Sequence, residues 1–239
     1  MDKDEVFARP LSDINAFEFN ASVTRVFRDM ISRSVPGYEL LLRLIGLYAN
    51  VFVRDNSRVY DLGCSLGEVS LLINEQADAK DISIVAVDNS PSMIKKCQSS
   101  NPSVNAIDWV CDDIQRIPVE NASMVVLNLT LQFIAPDERQ TLLENIFEGL
   151  NAGGILVLSE KIELDEPMAN TRMIQLHQAF KKMQGYSELE ISQKRTALEN
   201  VMVPDLESGL YLRLQQTGFR EIYQCFRCFN FVSYLAIKA

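Results

Sequence analysis

The chain has 239 residues, 47% of them hydrophobic and 23% charged. That supplies core for one domain with an elaboration and excludes a disordered chain. Lys and Arg number 23 against 32 Asp and Glu, a formal net charge of −9. The overall positive field behind most non-specific nucleic-acid affinity is therefore missing, and no direct nucleic-acid partner is expected.

At the start of the chain, Met1-Asp2-Lys3-Asp4-Glu5 is acidic with no apolar run behind it, so it does not read as a signal peptide. The apolar stretch Leu40–Val53 is interrupted by Arg43 and Asn50 and is too polar for a membrane span. A cytoplasmic chain with no membrane partner is expected. Within that stretch Leu40, Leu41, Leu44, Ile45, Leu47, Tyr48 and Val51 recur with a helical period.

A short strand is predicted over Arg58–Leu62, ending in a glycine turn, then a helix over Glu68–Glu75. Ile82–Val87 reads as a buried strand, with Ser90 as N-cap and Pro91 at the first helical position of the next helix. Ile107–Cys111, Met124–Asn128 and Ile155–Ser159 are further strands. Between the last two, a helix over Pro136–Leu150 stops at Asn151-Ala152-Gly153-Gly154.

After Lys161 the pattern turns helical, over 168–184 and 187–200, and Ser187 with Glu190 forms a capping box. A helix near 205–217 and two apolar runs, Glu221–Phe226 and Phe229–Ile237, close the chain. Five β-runs with helices between them, plus the closing pair, predict an α/β domain with a doubly wound, mostly parallel seven-stranded sheet. Its expected parts are an N-terminal helical segment (1–54), a nucleotide-binding core (55–161), a helical insertion (162–204) and the closing helix and strand pair (205–239).

The five cysteines, Cys64, Cys97, Cys111, Cys225 and Cys228, are scattered and the chain has one histidine, so no zinc set forms and a reducing compartment is expected. Cys225-Phe226-Arg227-Cys228 spells CxxC, but on a strand residues three apart face opposite ways.

Chemistry concentrates at successive strand ends. Asp61-Leu62-Gly63-Cys64-Ser65-Leu66-Gly67 is a strand ending in an acid followed by a small-residue loop that opens a helix. Glycines there let a ligand approach the backbone, and the helix start offers free N–H groups. Asp88 ends the next strand, where an acid accepts both hydroxyls of a ribose. Asp113 and Ile114 follow the third strand, where an acid and an apolar residue hold an adenine. Asn128 ends the fourth and faces the reacting end of the ligand.

This series resembles the class I S-adenosylmethionine-dependent methyltransferase fold. The usual GxGxG loop has Ser65 in place of its middle glycine, so Gly63-Cys64-Ser65-Leu66-Gly67 also spells the GxSxG nucleophile elbow. A serine hydrolase needs a histidine base, and His177 lies in a helical stretch, read as helix surface or a partner contact. Asn128-Leu129-Thr130-Leu131 lacks the Asn/Asp-Pro-Pro-Tyr/Phe pattern of N-methyltransferases.

The resemblance narrows with Arg33–Tyr38, Tyr60–Gly67, Asp88-Asn89-Ser90-Pro91, Glu120–Asn128, Thr130–Phe133 and Gly185–Arg195. These stretches are similar to the carboxy-S-adenosyl-L-methionine synthase family, over nearly the whole chain. The resemblance implies carboxyl transfer from prephenate to the methyl carbon of S-adenosyl-L-methionine. The products would be carboxy-S-adenosyl-L-methionine, phenylpyruvate and water, on the route to 5-oxyacetyluridine at the tRNA wobble position. It implies a ligand pocket of Tyr38, Gly63, Cys64, Ser65, Asp88, Asn89, Asp113, Ile114, Asn128 and Arg195, with no metal.

Arg195 is the catalytic candidate, because prephenate is a dianion and guanidinium is the preferred fork for carboxylate. Lys194 beside it reads as a solvated helix face. The competing readings are a methyltransferase acting on a small molecule or tRNA and a non-catalytic S-adenosylmethionine binder. The helices over 38–52 and 168–200 are apolar enough to dock a second copy, so a homodimer is expected.

Overall fold

A computed structural model describes residues 2–239. Its core alternates strands and helices as the periodicity predicts: β1 (Arg58–Leu62), α3 (Glu68–Gln76), β2 (Ser83–Asp88), α4 (Pro91–Ser100), β3 (Ile107–Cys111), β4 (Ala122–Asn128), α5 (Arg139–Gly149) and β5 (Leu150–Glu163). Ahead of them run α1 (Ala21–Ser34) and α2 (Tyr38–Phe52). After them come α6 (Pro167–Met183), α7 (Glu188–Leu198), β6 (Asp205–Leu206), α8 (Glu207–Thr217), β7 (Glu221–Cys228) and β8 (Phe231–Ile237).

The main path of the sheet is β3-β2-β1-β4-β5-β8-β7, seven strands, with the two-residue β6 paired to the end of β5. β1 to β5 are parallel, and β8 is antiparallel to both β5 and β7. The strand order reverses between β1 and β4, and a doubly wound sheet opens its ligand crevice at such a reversal. Two apolar layers seal the faces. One holds Leu62, Val125, Leu127, Leu143, Ile146 and Leu214; the other holds Ile45, Ile73, Ile84, Val126 and Val157.

Local chemistry sets the element ends. Asn20 caps α1 by accepting from Ser22 N at 3.0 Å and Val23 N at 3.2 Å. Ser90 caps α4 with Pro91 behind it, and the Ser187–Glu190 capping box opens α7.

The largest differences from expectation lie at β5 and β7. The Asn151–Gly154 run is not a loop: α5 ends at Gly149 and β5 begins at Leu150. There Gly153 N donates to Lys238 O at 2.7 Å and Lys238 N to Gly154 O at 2.9 Å, so the last residues of the chain hold this stretch extended. β7 runs on to Cys228 and bulges between Gln224 and Phe226, so strict alternation does not govern the two CxxC cysteines. Both are nevertheless free thiols.

Candidate active site

A cavity of about 710 Å³ opens at the carboxyl ends of β1, β2 and β4, walled by α1, α6 and α7. All ten sequence-predicted residues line it: Tyr38, Gly63, Cys64, Ser65, Asp88, Asn89, Asp113, Ile114, Asn128 and Arg195.

The first wall is the loop after β1. Gly63 N and Cys64 N both donate to Val87 O at 2.8 Å, tying the loop to β2. Gly63 has φ +86°, and a Cβ there would lie 2.3 Å from Thr130 Oγ1. The sequence needs glycine because β1 and β4 part at this point and Thr130 fills the gap. Ser65 is left-handed at φ 51°, and its N–H donates to Asp88 Oδ2 at 2.9 Å. Its hydroxyl meets Met93 Sδ at 3.8 Å, not a histidine, so the nucleophile-elbow reading lacks its base. Contact with Cys97, then burial, pushes the Cys64 thiol far up, away from nucleophilic chemistry.

Asp88 does more than the sequence suggests. Oδ1 accepts from Ser90 N and Oδ2 from Ser65 N, both at 2.9 Å. The carboxylate thus joins the first loop to the start of α4 while a side of each oxygen remains open. Burial raises its pKa against these two donors. Asp113 accepts from Gln115 N at 3.0 Å to cap a single 3₁₀ turn, which places Ile114 against the core.

Asn128 Oδ1 is buried without a hydrogen-bond partner on a cavity-lining residue. A buried acceptor of that kind calls for a donor from a ligand. The loop after it is fixed by Glu160, whose carboxylate accepts from Thr130 N at 3.1 Å, Leu131 N at 2.8 Å and Gln132 N at 3.0 Å. Burial pushes Glu160 up to about 8. Asp61 is 1% exposed, bonded to Ser70 Oγ at 2.5 Å, and burial raises it to about 7. Tyr38, buried, donates from its hydroxyl to Glu68 at 3.1 Å, and Arg28 binds the other oxygen of Glu68 at 2.7 Å.

At the opposite end of the cavity only Arg195 was foreseen. Lys194 is 7% exposed, not a solvated helix residue; its Nζ donates to Ser34 Oγ at 3.0 Å and lies 3.8 Å from Asp4. Burial brings it down to about 8. His177 is buried rather than on the helix surface, with Nε2 2.8 Å from Ser34 O, and burial lowers it to about 3. Lys161 and Lys181 line the same region, where burial brings Lys181 down to about 7 and lowers Lys161. Arg195 faces the cavity from α7 with its side chain exposed. For the lysines the only hint in the sequence is that Lys181 and Lys194 sit near helix ends, a pattern shared with many surface residues.

The residues fit an adenosyl sulfonium ligand. Acids lie at the ends of β1 and β2 and just past β3, a glycine leaves the backbone bare, and Asn128 holds an unpartnered acceptor.

Residues 59–154 match a family model described as a methyltransferase domain. The carboxy-S-adenosyl-L-methionine synthase of Shewanella sediminis is 48% identical over 239 residues, 99% of this chain and 98% of the relative. The synthase of Pasteurella multocida is 47% identical with full coverage of both chains. Among solved structures, human N-acetylserotonin methyltransferase in complex with SAM superposes with a TM-score of 0.61 at 17% identity, covering 92% of this chain and 55% of the other. A Methanococcus maripaludis protein described as an S-adenosyl-L-methionine-dependent methyltransferase gives 0.60 at 20% identity, covering 96% and 98%. At these identities the two structures speak for the fold alone.

Proposed function

The chain belongs to the carboxy-S-adenosyl-L-methionine synthase family, and we propose that it converts S-adenosyl-L-methionine and prephenate into carboxy-S-adenosyl-L-methionine, phenylpyruvate and water. In that reaction a C–H bond of the sulfonium methyl group gives way to a bond to the carboxyl carbon lost by prephenate. The prephenate hydroxyl leaves as water with the methyl proton. Atoms and charge balance with no oxidant, reductant or metal.

The observation that carries this reading is the pairing, in one cavity, of an acid-rich nucleoside end with a lysine- and arginine-rich end. A methyl acceptor does not need such a cluster of cations; a dianionic carboxyl donor does. Asp88 would accept the ribose hydroxyls, Asp113 and Ile114 would hold the adenine, and Gly63–Ser65 would give the methionine end access to the backbone. Tyr38, Asn89 and Asn128 would complete the nucleoside side. Arg195 would face the new carboxylate. The residues supply position and electrostatics, and none of them is placed as a strong base.

The product would feed formation of 5-oxyacetyluridine at the tRNA wobble position, with a separate enzyme handling the tRNA. A homodimer would form through exposed apolar residues such as Leu40, Leu47 and Val51 on α2 and Met168 and Leu176 on α6. No helix of the described residues is long and apolar enough to cross a membrane, in keeping with a cytoplasmic site of action.

The test is incubation of the purified protein with both small molecules and mass analysis of the products. A nucleoside heavier than S-adenosylmethionine by one carbon dioxide, formed in step with phenylpyruvate, is expected. Formation of S-adenosylhomocysteine instead would establish methyl transfer and overturn the reading.

A further inference from the structure

Five nitrogen bases on three elements face the far end of the cavity: Lys161 from β5, His177 and Lys181 from α6, and Lys194 and Arg195 from α7. Two are already engaged inside the protein. His177 Nε2 bonds the Ser34 carbonyl, and Lys194 Nζ bonds the Ser34 hydroxyl with Asp4 beside it. Lys161, Lys181 and Arg195 differ: among the described residues none of their side chains makes a hydrogen bond, and no carboxylate lies within salt-bridge distance. Their neighbours Lys182 and Lys194 do have such partners.

Lys181 also feels the charges of Lys194, Lys161 and Arg195 and no opposing carboxylate, while Lys161 feels only Glu163 in its favour. Two half-buried ammonium groups held together with no carboxylate at salt-bridge distance oppose folding. A fold retains such an arrangement where an incoming anion completes it. Two lysines match the two carboxylates of a dianionic donor, and Arg195 is left over for the one that is transferred.

We propose that Lys161 and Lys181 bind the carboxylates of the dianionic carboxyl donor, leaving Arg195 for the carboxylate as it arrives on the sulfonium-bound carbon. This rests on the function proposed above and names the side chains that select the donor. The rival role for the same lysines is to hold the amino-acid carboxylate of S-adenosylmethionine.

The experiment compares Lys161→Met and Lys181→Met with the wild type in the full-length protein. It measures the KM for prephenate at saturating S-adenosylmethionine, the Kd for S-adenosylhomocysteine and the thermal midpoint. Each substitution should raise the prephenate KM about tenfold to a hundredfold, the loss of one charge-assisted bond. The Kd for S-adenosylhomocysteine should stay within about twofold, and the thermal midpoint should hold or rise as mutual repulsion is relieved. Lys181→Arg should recover most of the lost affinity. Phenylpyruvate, with one carboxylate fewer, should lose affinity as an inhibitor in only one of the two Met variants.

An unchanged prephenate KM in both variants overturns the inference. So does a loss confined to S-adenosylhomocysteine affinity, which would assign the lysines to the amino acid. A wild type that makes no carboxylated nucleoside refutes the function itself, a result visible before any variant is made.

Discussion

Replacement of Asp88 by Ala tests the nucleoside half of the cavity. Its carboxylate holds two backbone N–H groups at 2.9 Å, Ser65 from the first loop and Ser90 from the start of α4. Each is a hydrogen bond to a charged group, worth about 1.5–3 kcal/mol net. Truncation leaves both donors unpaired, so the first loop loses its attachment to α4 and stability falls by roughly 2–5 kcal/mol once water satisfies part of the deficit. Loss of the ribose contact proposed for Asp88 would remove another charge-assisted interaction, which at about 1.4 kcal/mol per decade is roughly a ten- to hundredfold weaker Kd. Calorimetric titration with S-adenosylhomocysteine reads the second effect and a thermal melt the first. A 2′-deoxy analogue separates them: it should bind the wild type more weakly than the parent compound does, and the variant equally well. An Asp88→Ala protein with wild-type affinity, or one that still tells the two nucleosides apart, would refute the assignment.

Three further outcomes are expected. Ser65→Ala should keep most of its activity, and a fluorophosphonate should not label the wild type, because the Ser65 hydroxyl has only Met93 Sδ beside it; stoichiometric labelling would revive the hydrolase. Arg195→Ala should weaken carboxy-S-adenosylmethionine by about ten- to hundredfold while changing S-adenosylmethionine little, and Arg195→Lys should restore only part, because ammonium lacks the planar fork; equal losses for both ligands would make Arg195 merely structural. The single histidine gives one imidazole signal by NMR, and burial lowers the pKa of His177 from 6.5 to about 3. Its stabilising contribution is therefore fully present above pH 6.5 and is lost as pH falls toward 3; an imidazole that titrates near its ordinary value in the native protein would contradict its burial.

That Gly63, Ser65, Asp88, Asp113 and Asn128 line one cavity was legible because their signals are local. Gly63, Ser65, Asp88, Asp113 and Asn128 each sit at or just beyond a strand end, and the doubly wound topology brings strand ends together whatever the surface looks like. The capping box at Ser187 and the Ser90-Pro91 helix start were equally local and appear as expected. What failed were inferences about which way a helix faces. Lys194 and His177 read as solvent-facing because a lysine or a lone histidine on a helix usually is. Their burial depends on Ser34 of α1, more than 140 residues earlier in the chain, whose hydroxyl binds Lys194 and whose carbonyl meets His177. The dual role of Asp88 was hidden for the same reason, since the Ser65 N–H turns toward it only once β1 and β2 lie side by side.

Charge explains why such a site belongs in so acidic a chain. With a net charge of −9 the long-range field repels a dianion, so attraction has to be local. Lys161 and Lys181 are half-buried, and a cation there acts at short range with less screening than on the surface. Lys161, Lys181 and Arg195 therefore hold an anion where the rest of the molecule would turn it away. At the other end Asp61, Glu68 and Asp88 face the same cavity and suit a cationic sulfonium. Burial raises the pKa of Asp61, and a cation beside it would favour its ionised form. Each end of the cavity is thus incompletely charged or incompletely paired alone, and each is completed by a ligand of the opposite sign. A neutral pocket would bind the substrate and product sulfonium compounds nearly alike, whereas under the proposed function this polarity would orient a carboxylate donor toward the methyl sulfonium.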